Sequence, residues 1–322
     1  MKGKTKEMER KAKLAIIDDL TSAIAQLEKQ DRVACLTARK LLRRTLHKVQ
    51  NIQTQPEQKQ QEPAHAYTGY DLEWLSSPAT DVTNTEILPG EVFVNTADFD
   101  SGIRQLLPRY DEMLNAIAHC IPPTAQRILE LGCGTGELSL KILHRCPSAQ
   151  IIALDYSPRM LQFAKHKIES AGYAARWKGI EADFGNWTNE PDKINIGIGF
   201  DAVVSSLAIH HLTNEMKLKL FQRIRESLNS GGVFWNADPI LPESDAIAAI
   251  YQAVREEWAA FNGTNLTEIR ANIGTSAPHG YSYPDQLATL DNHLQMLKTA
   301  GFETVAVPWK YYGLAVFGGE VS

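Results

Sequence analysis

Three glycines at every second position, Gly132, Gly134 and Gly136, follow the acid Glu130 and interrupt an apolar run that begins at Ile128. Glycine without a Cβ atom lets a chain turn sharply and pass close to a ligand. The spacing is G-x-G-x-G, not the G-x-G-x-x-G that seats a pyrophosphate on a helix N-terminus, and no Lys-Ser/Thr pair follows to hold a triphosphate. A ligand without phosphate is therefore favoured. Alone, such a turn is as readily a plain strand-to-helix connection, and downstream residues decide. Nineteen residues after Gly136, the apolar run Ile151-Ile152-Ala153-Leu154 ends in Asp155, placed to accept both hydroxyls of a ribose. A third group, His210-His211, closes another apolar run, where one imidazole could face a reacting group and the other pack; neighbours in an extended chain point opposite ways.

The elements that must position these groups alternate. Ile128 to Leu131 reads as a buried first strand, and Leu138, Leu140, Ile142 and Leu143 as the apolar side of the next helix. Ser157-Pro158 starts a helix that Gly172 ends, and 200–206 reads as a fourth strand with Ser205 and Ser206 at its C-terminal end, where open α/β sheets bind ligands. At this point the chain resembles the class I S-adenosylmethionine-dependent methyltransferases. The resemblance rests on Glu130-Leu131-Gly132-Cys133-Gly134-Thr135-Gly136, on Asp155, on Asp183 in Glu181-Ala182-Asp183-Phe184, and on the fourth-strand run from Phe200 to Leu212. It implies a Rossmann-like α/β fold of seven strands, the last antiparallel, with S-adenosyl-L-methionine as cofactor and S-adenosyl-L-homocysteine as product. Carried onto this sequence, it makes Glu130, Gly132, Cys133, Gly134, Gly136, Asp155, Tyr156, Met160, Asp183, Phe184, Ser205 and Leu207 cofactor contacts. Arg104 and Tyr110 become candidates for the cofactor carboxylate, while Phe99 stands where the family usually has a tyrosine, so any hydroxyl contact from that position is lost.

The whole chain bounds this reading. Its 322 residues suffice for one catalytic domain with an appendage. No apolar run is long enough to span a membrane, the first residues carry no apolar signal core, and Cys35, Cys120, Cys133 and Cys146 form neither a C-x-x-C pair nor a disulfide framework, all of which suits the cytoplasm. Charge is uneven: residues 1–50 carry +7, while the remainder carries −12. An acidic body argues against a broad nucleic-acid groove. Residues 1–50 read as a helical hairpin suited to packing or self-association, 51–63 as a Gln/Pro-rich linker, and 64–322 as the catalytic domain with a substrate lid at about 240–290. The segment 64–95 has aromatics without a period, so it folds over the active site or patches the outside of the sheet.

Methyl transfer from a sulfonium is a direct displacement that needs chiefly alignment, and a base only when the acceptor arrives protonated. His210 and His211 are the catalytic candidates, against the plainer reading that they cap strand four. Trp235, Asn236, Asp238, Trp258 and Tyr281 are expected to line a partly apolar acceptor pocket. No His, Cys and Asp cluster has metal-ligand spacing, so no metal is expected. Cys133 reads as a small residue of the turn, not a nucleophile. The expected function is methylation of a small molecule, at oxygen or nitrogen. Two rivals stay open: an RNA or protein methyltransferase that docks through the basic hairpin, and a non-catalytic S-adenosylmethionine-binding assembly protein.

Overall fold

The computed structural model describes residues 87–322 apart from Val94, Pro191, Asp192 and Asn195. The hairpin expected at 1–50, the linker at 51–63 and most of the segment 64–95 lie outside the described residues.

Seven strands form one sheet: β1 (Arg127–Leu131), β2 (Gln150–Asp155), β3 (Trp177–Glu181), β4 (Phe200–Ser206), β5 (Leu228–Pro239), β6 (Thr304–Tyr311) and β7 (Leu314–Glu320), in the order β3-β2-β1-β4-β5-β7-β6. The strands from β1 to β5 pair in parallel, and β7 runs antiparallel to both β5 and β6, as the resemblance implied. Because β1 neighbours both β2 and β4, the winding direction reverses between β1 and β4. That reversal opens a crevice beyond the carboxyl ends of the strands.

Alternating side chains divide the core into two layers. Ile128, Ile151, Ala153 and Val204 face one side, against α2 (Tyr110–Cys120), α3 (Glu137–Arg145) and α4 (Pro158–Ser170). Leu129, Leu131, Leu154 and Val203 face the other, against α5 (Phe184–Asn189), α6 (Asn214–Ser227) and α9 (Leu290–Thr299). Strands buried on both faces need near-continuous apolar sequence, which is why 128–131 and 151–154 lack polar alternation apart from Glu130. Helix starts are set by side-chain caps: Ser157 accepts from the Met160 amide with Pro158 in the first turn, and Thr213 from the Met216 amide.

Between β5 and α9 lies the insertion expected as a lid. It contains a long helix, α7 (Asp245–Phe261), capped by Ser244, and a short one, α8 (Leu266–Ala271), capped by Asn265. The remaining helix, α1 (Phe99–Leu106), precedes α2 and packs on α7 and α8. No helix among the described residues is long and apolar enough to cross a membrane.

Candidate functional site

A cleft occupies the crevice between β1 and β4. Its floor is the glycine turn. Gly132, Gly134 and Gly136 have φ of 67°, 51° and 81°, a region costly for residues with a Cβ. A Cβ on Gly132 would run into the Ala208 side chain, and one on Gly136 would lie 3.1 Å from the Ala164 Cβ, whereas one on Gly134 would meet open space. Gly132 and Gly136 thus permit close packing, and Gly134 leaves room at the cleft. Leu207, also with positive φ (55°), stands opposite, an unusual conformation for a branched residue and of the kind that clusters at working sites.

Asp155 ends β2 at the cleft wall and is 8% exposed. The Gly134 amide donates to one of its oxygens at 2.8 Å and the Ser157 amide to the other at 2.9 Å. Burial lifts this carboxyl, the two amides pull it back, and nearby Glu91 lifts it again, leaving it at about 6. Glu130 also lines the cleft and is held by the Ser139 hydroxyl; burial outweighs that hydrogen bond and raises it to about 8, so it carries a proton at neutral pH. Tyr156, Met160, Phe184, Tyr110 and Cys133 complete that end. The Cys133 thiol is pushed up by burial, which fits a packing residue and not a nucleophile.

The strap from Ile87 to Phe93, which showed no period in sequence, is part of the wall. It bridges the lid at Ile87–Ser276 and Phe93–Ile273, with the Gly274 amide donating to the Val92 carbonyl at 2.9 Å. Glu91 anchors it by accepting from the Ser157 hydroxyl and from Arg159, which hold its carboxyl below the usual range despite burial, and the Tyr156 hydroxyl donates to the Pro89 carbonyl.

At the far end, His210 and His211 sit in a single 3₁₀ turn after β4 (Ile209–His211), not in extended chain, so their rings lie side by side with centroids 4.0 Å apart. Only His211 lines the cleft. Its Nδ1–H donates to the Tyr283 carbonyl at 2.9 Å, which leaves the lone pair on Nε2, an atom with no partner. His210 stands behind, its Nδ1 2.8 Å from Asp238, which also accepts from Asn236 at 2.7 Å. Burial disfavours charge on both rings. For His210 the Asp238 and Asp285 carboxylates outweigh it and raise the ring to about 9, whereas the His210 charge adds to burial and lowers His211 to about 3.

Several expected contacts fall elsewhere. Arg104 does not line the cleft: Asp111 and Glu137 hold its guanidinium, and Asp100 offers a carbonyl. Ser205 is buried, donating to the Leu131 carbonyl at 2.8 Å, while its neighbour Ser206 lines the cleft. Gly136 lies against α4 instead of the cleft, and Asp183 accepts from the Gly185 amide at 2.6 Å and the Tyr281 amide at 3.3 Å, so it fastens the lid. Trp235 points toward α2, its Nε1–H donating to the Cys120 carbonyl at 3.1 Å. Trp258 packs on α1 and donates to the Arg104 carbonyl at 3.0 Å, and Tyr281 covers Gly185. Asn236 and Asp238 are fully buried behind His210 and do not reach the cleft. The expectation that no donors gather for a metal rested on spacing in sequence; the fold brings Asp285 to His210 and His211, with one donor atom from each within 4.8 Å of the others. Glu91, Ser282 and Asp285 went unread as site residues because they belong to the strap and the lid, where only the fold shows the contact.

A reversed seven-stranded sheet with a glycine turn and a buried acid beside its crevice is the fold of the class I S-adenosylmethionine-dependent methyltransferases; the chain is a methyltransferase of that fold, with S-adenosylmethionine as its cofactor. Residues 128–232 match the family model described as a methyltransferase domain. The chain is 25% identical over 223 residues to the carboxy-S-adenosyl-L-methionine synthase of Campylobacter hominis, covering 68% of this chain and 88% of that one. It is 30% identical over 162 residues to the malonyl-[acyl-carrier protein] O-methyltransferase of a Paenibacillus species, 48% of this chain and 56% of the relative. Among solved structures, an O-methyltransferase family protein from Burkholderia thailandensis superposes with a TM-score of 0.50 at 13% identity, and PigF with S-adenosylhomocysteine with 0.50 at 16%. The matches cover 70% and 74% of this chain, and 59% and 64% of those proteins, so it spans less than two thirds of their length.

The residues present fit the cofactor. Asp155 offers a carboxylate to ribose hydroxyls, Tyr156 and Phe184 offer aromatic surface to a base, and the open space at Gly134 admits close approach.

Proposed function

We propose that this enzyme methylates a small molecule, at an oxygen or nitrogen that carries a hydrogen-bond donor. One observation carries the reading. Among the described residues, those lining the cleft include Glu91, Glu130, Glu137 and Asp155 and no Lys or Arg. A polyanionic acceptor such as RNA needs cationic side chains against its phosphates.

The bound sulfonium supplies the activated methyl group. Asp155 holds the ribose, Tyr156 and Phe184 flank the base, and the strap and lid together shield the cleft from water. His211 presents Nε2 to the acceptor and orients its O–H or N–H by accepting a hydrogen bond. With His210 charged beside it, His211 does not keep the acceptor's proton, which is shed to solvent as the methylated oxygen or nitrogen forms and the homocysteine sulfur leaves; its part is alignment, the contribution that direct displacement needs most.

The test is incubation with methyl-labelled S-adenosylmethionine and a cytosolic extract, with the label separated by size before and after nuclease or protease treatment. Label in the small-molecule fraction is the expected result. Label released only by nuclease or protease would replace this reading with a macromolecular acceptor. A carboxylated cofactor in the mass spectrum would align the enzyme with the synthase relatives instead.

A further inference from the structure

The end of the lid is fastened to the 3₁₀ turn by two backbone hydrogen bonds, from the Tyr283 amide to the His211 carbonyl at 2.9 Å and from the Gln286 amide to the His210 carbonyl at 2.8 Å. Asp285 lies between them. Its side chain is 4% exposed, and neither carboxylate oxygen accepts a hydrogen bond from a described residue. A buried carboxylate that faces the His210 ring at 3.5 Å without a hydrogen bond keeps lone pairs free for a further partner.

The atoms around it are metal donors. His210 Nε2 lies 3.5 Å from Asp285 Oδ1, His211 Nδ1 lies 3.9 Å from the same oxygen, and the Tyr283 carbonyl oxygen lies 2.9 Å from His211 Nδ1. Zinc bonds of about 2.0–2.2 Å at tetrahedral angles set neighbouring donors roughly 3.3–3.6 Å apart, close to these separations. His210 is oriented as metal-binding histidines are: its other nitrogen rests on the Asp238 carboxylate, itself fixed by Asn236. Of the nearby cations, Lys217 directs its ammonium to the Gln286 carbonyl and to Asn214, and the Arg255 guanidinium of α7 also favours the charged Asp285 carboxylate.

We propose that His210 Nε2, His211 Nδ1 and Asp285 Oδ1 bind a divalent transition metal ion of the zinc class, with the Tyr283 carbonyl as fourth donor, clasping the lid to the sheet rim. Binding displaces the proton on His210 Nε2 to solvent, and the ion takes the place of the proton that His211 Nδ1 donates to Tyr283. The His211 ring proton then resides on Nε2, so occupancy turns that atom from an acceptor into a donor. The site stands independently of the acceptor's identity.

The test uses the untagged full chain. Metal content by mass spectrometry after dialysis against micromolar zinc is expected to be about one ion per chain, and cobalt substitution is expected to give visible d–d bands of a tetrahedral nitrogen and oxygen set. Asp285→Asn and His210→Gln should each weaken zinc binding roughly tenfold or more. Absence of stoichiometric zinc and of cobalt bands in the wild-type chain overturns the proposal, as does zinc affinity unchanged in a folded Asp285→Asn variant. Calorimetry with S-adenosylmethionine on the same samples reads the cofactor cleft separately: cofactor binding without metal removes only the clasp, and metal without cofactor binding removes only the methyl-transfer reading.

Discussion

The two ends of the cleft are built in opposite ways. At the cofactor end, the groups that meet the ligand arise from short continuous stretches: a strand, a glycine turn and the acid that ends the next strand, with Gly134 and Asp155 bonded directly. At the lid end, His210 takes its partners from β5 and from the lid, Asp238 and Asp285, far along the chain. The first end binds through ordinary turn chemistry. The second concentrates buried charge, with two carboxylates, an imidazolium and the Lys217 ammonium, which burial lowers to about 8. Stability should therefore depend most on the lid end and cofactor affinity most on the other.

The largest expected effect falls on the lid end. Asp238→Ala removes one partner of a buried ion pair, and loss of one partner typically costs about 3–5 kcal/mol. Urea titration should show that destabilisation, while calorimetry at a temperature where the variant is folded should find S-adenosylmethionine affinity nearly unchanged. A large loss of affinity would mean that the two ends are energetically one unit.

Next in size is Asp155→Ala, which removes a charged acceptor of hydroxyl hydrogen bonds and should weaken cofactor binding by about 1–3 kcal/mol. Equal affinity in calorimetry would take Asp155 out of the site. The same residue gives a pH signature. Its pKa in the folded chain is raised from 3.8 to about 6, so its contribution to the stability of the cofactor-free chain is present in full below 3.8 and fades as pH rises through 6. Ribose hydroxyls favour the ionised form, so cofactor affinity should rise across that window. Thermal melts with and without cofactor between pH 4 and 7 should show these opposing trends, and Asp155→Asn should flatten both. Parallel trends would place the titration elsewhere.

The comparison also explains what sequence could and could not disclose. The alternation of strands and helices, the glycine turn, the place of Asp155 at the end of β2 and the Ser157 helix cap follow from local chemistry within a few residues and were legible, whereas the seven-stranded sheet with its antiparallel last strand came from the family resemblance. Asp285 was not, because the lid returns to His210 only through the fold. The strap was half legible: its lack of period left open whether it covers the site or the outside of the sheet, and pairing with 273–277 decides for the site. Arg104 failed for another reason. An arginine near the expected cofactor carboxylate reads as its partner, yet Asp111 and Glu137 are closer competitors.

Trp235 carries the smallest prediction and the sharpest lesson about the sheet. Alternation along β5 sends Trp235 and Asn236 to opposite faces, and sequence alone does not say which helices cover which face. The structure buries Asn236 and Asp238 behind His210 and turns Trp235 to α2, where it donates to the Cys120 carbonyl. Trp235→Phe keeps an aromatic ring and deletes that hydrogen bond, so it should cost about 0.5–1.5 kcal/mol of stability in urea titration. Cofactor affinity and the rate of methyl transfer to the acceptor found in extract should stay at wild-type values. A fall in turnover without a fall in stability would return Trp235 to the acceptor pocket and require the lid end to be wider than its buried charges imply.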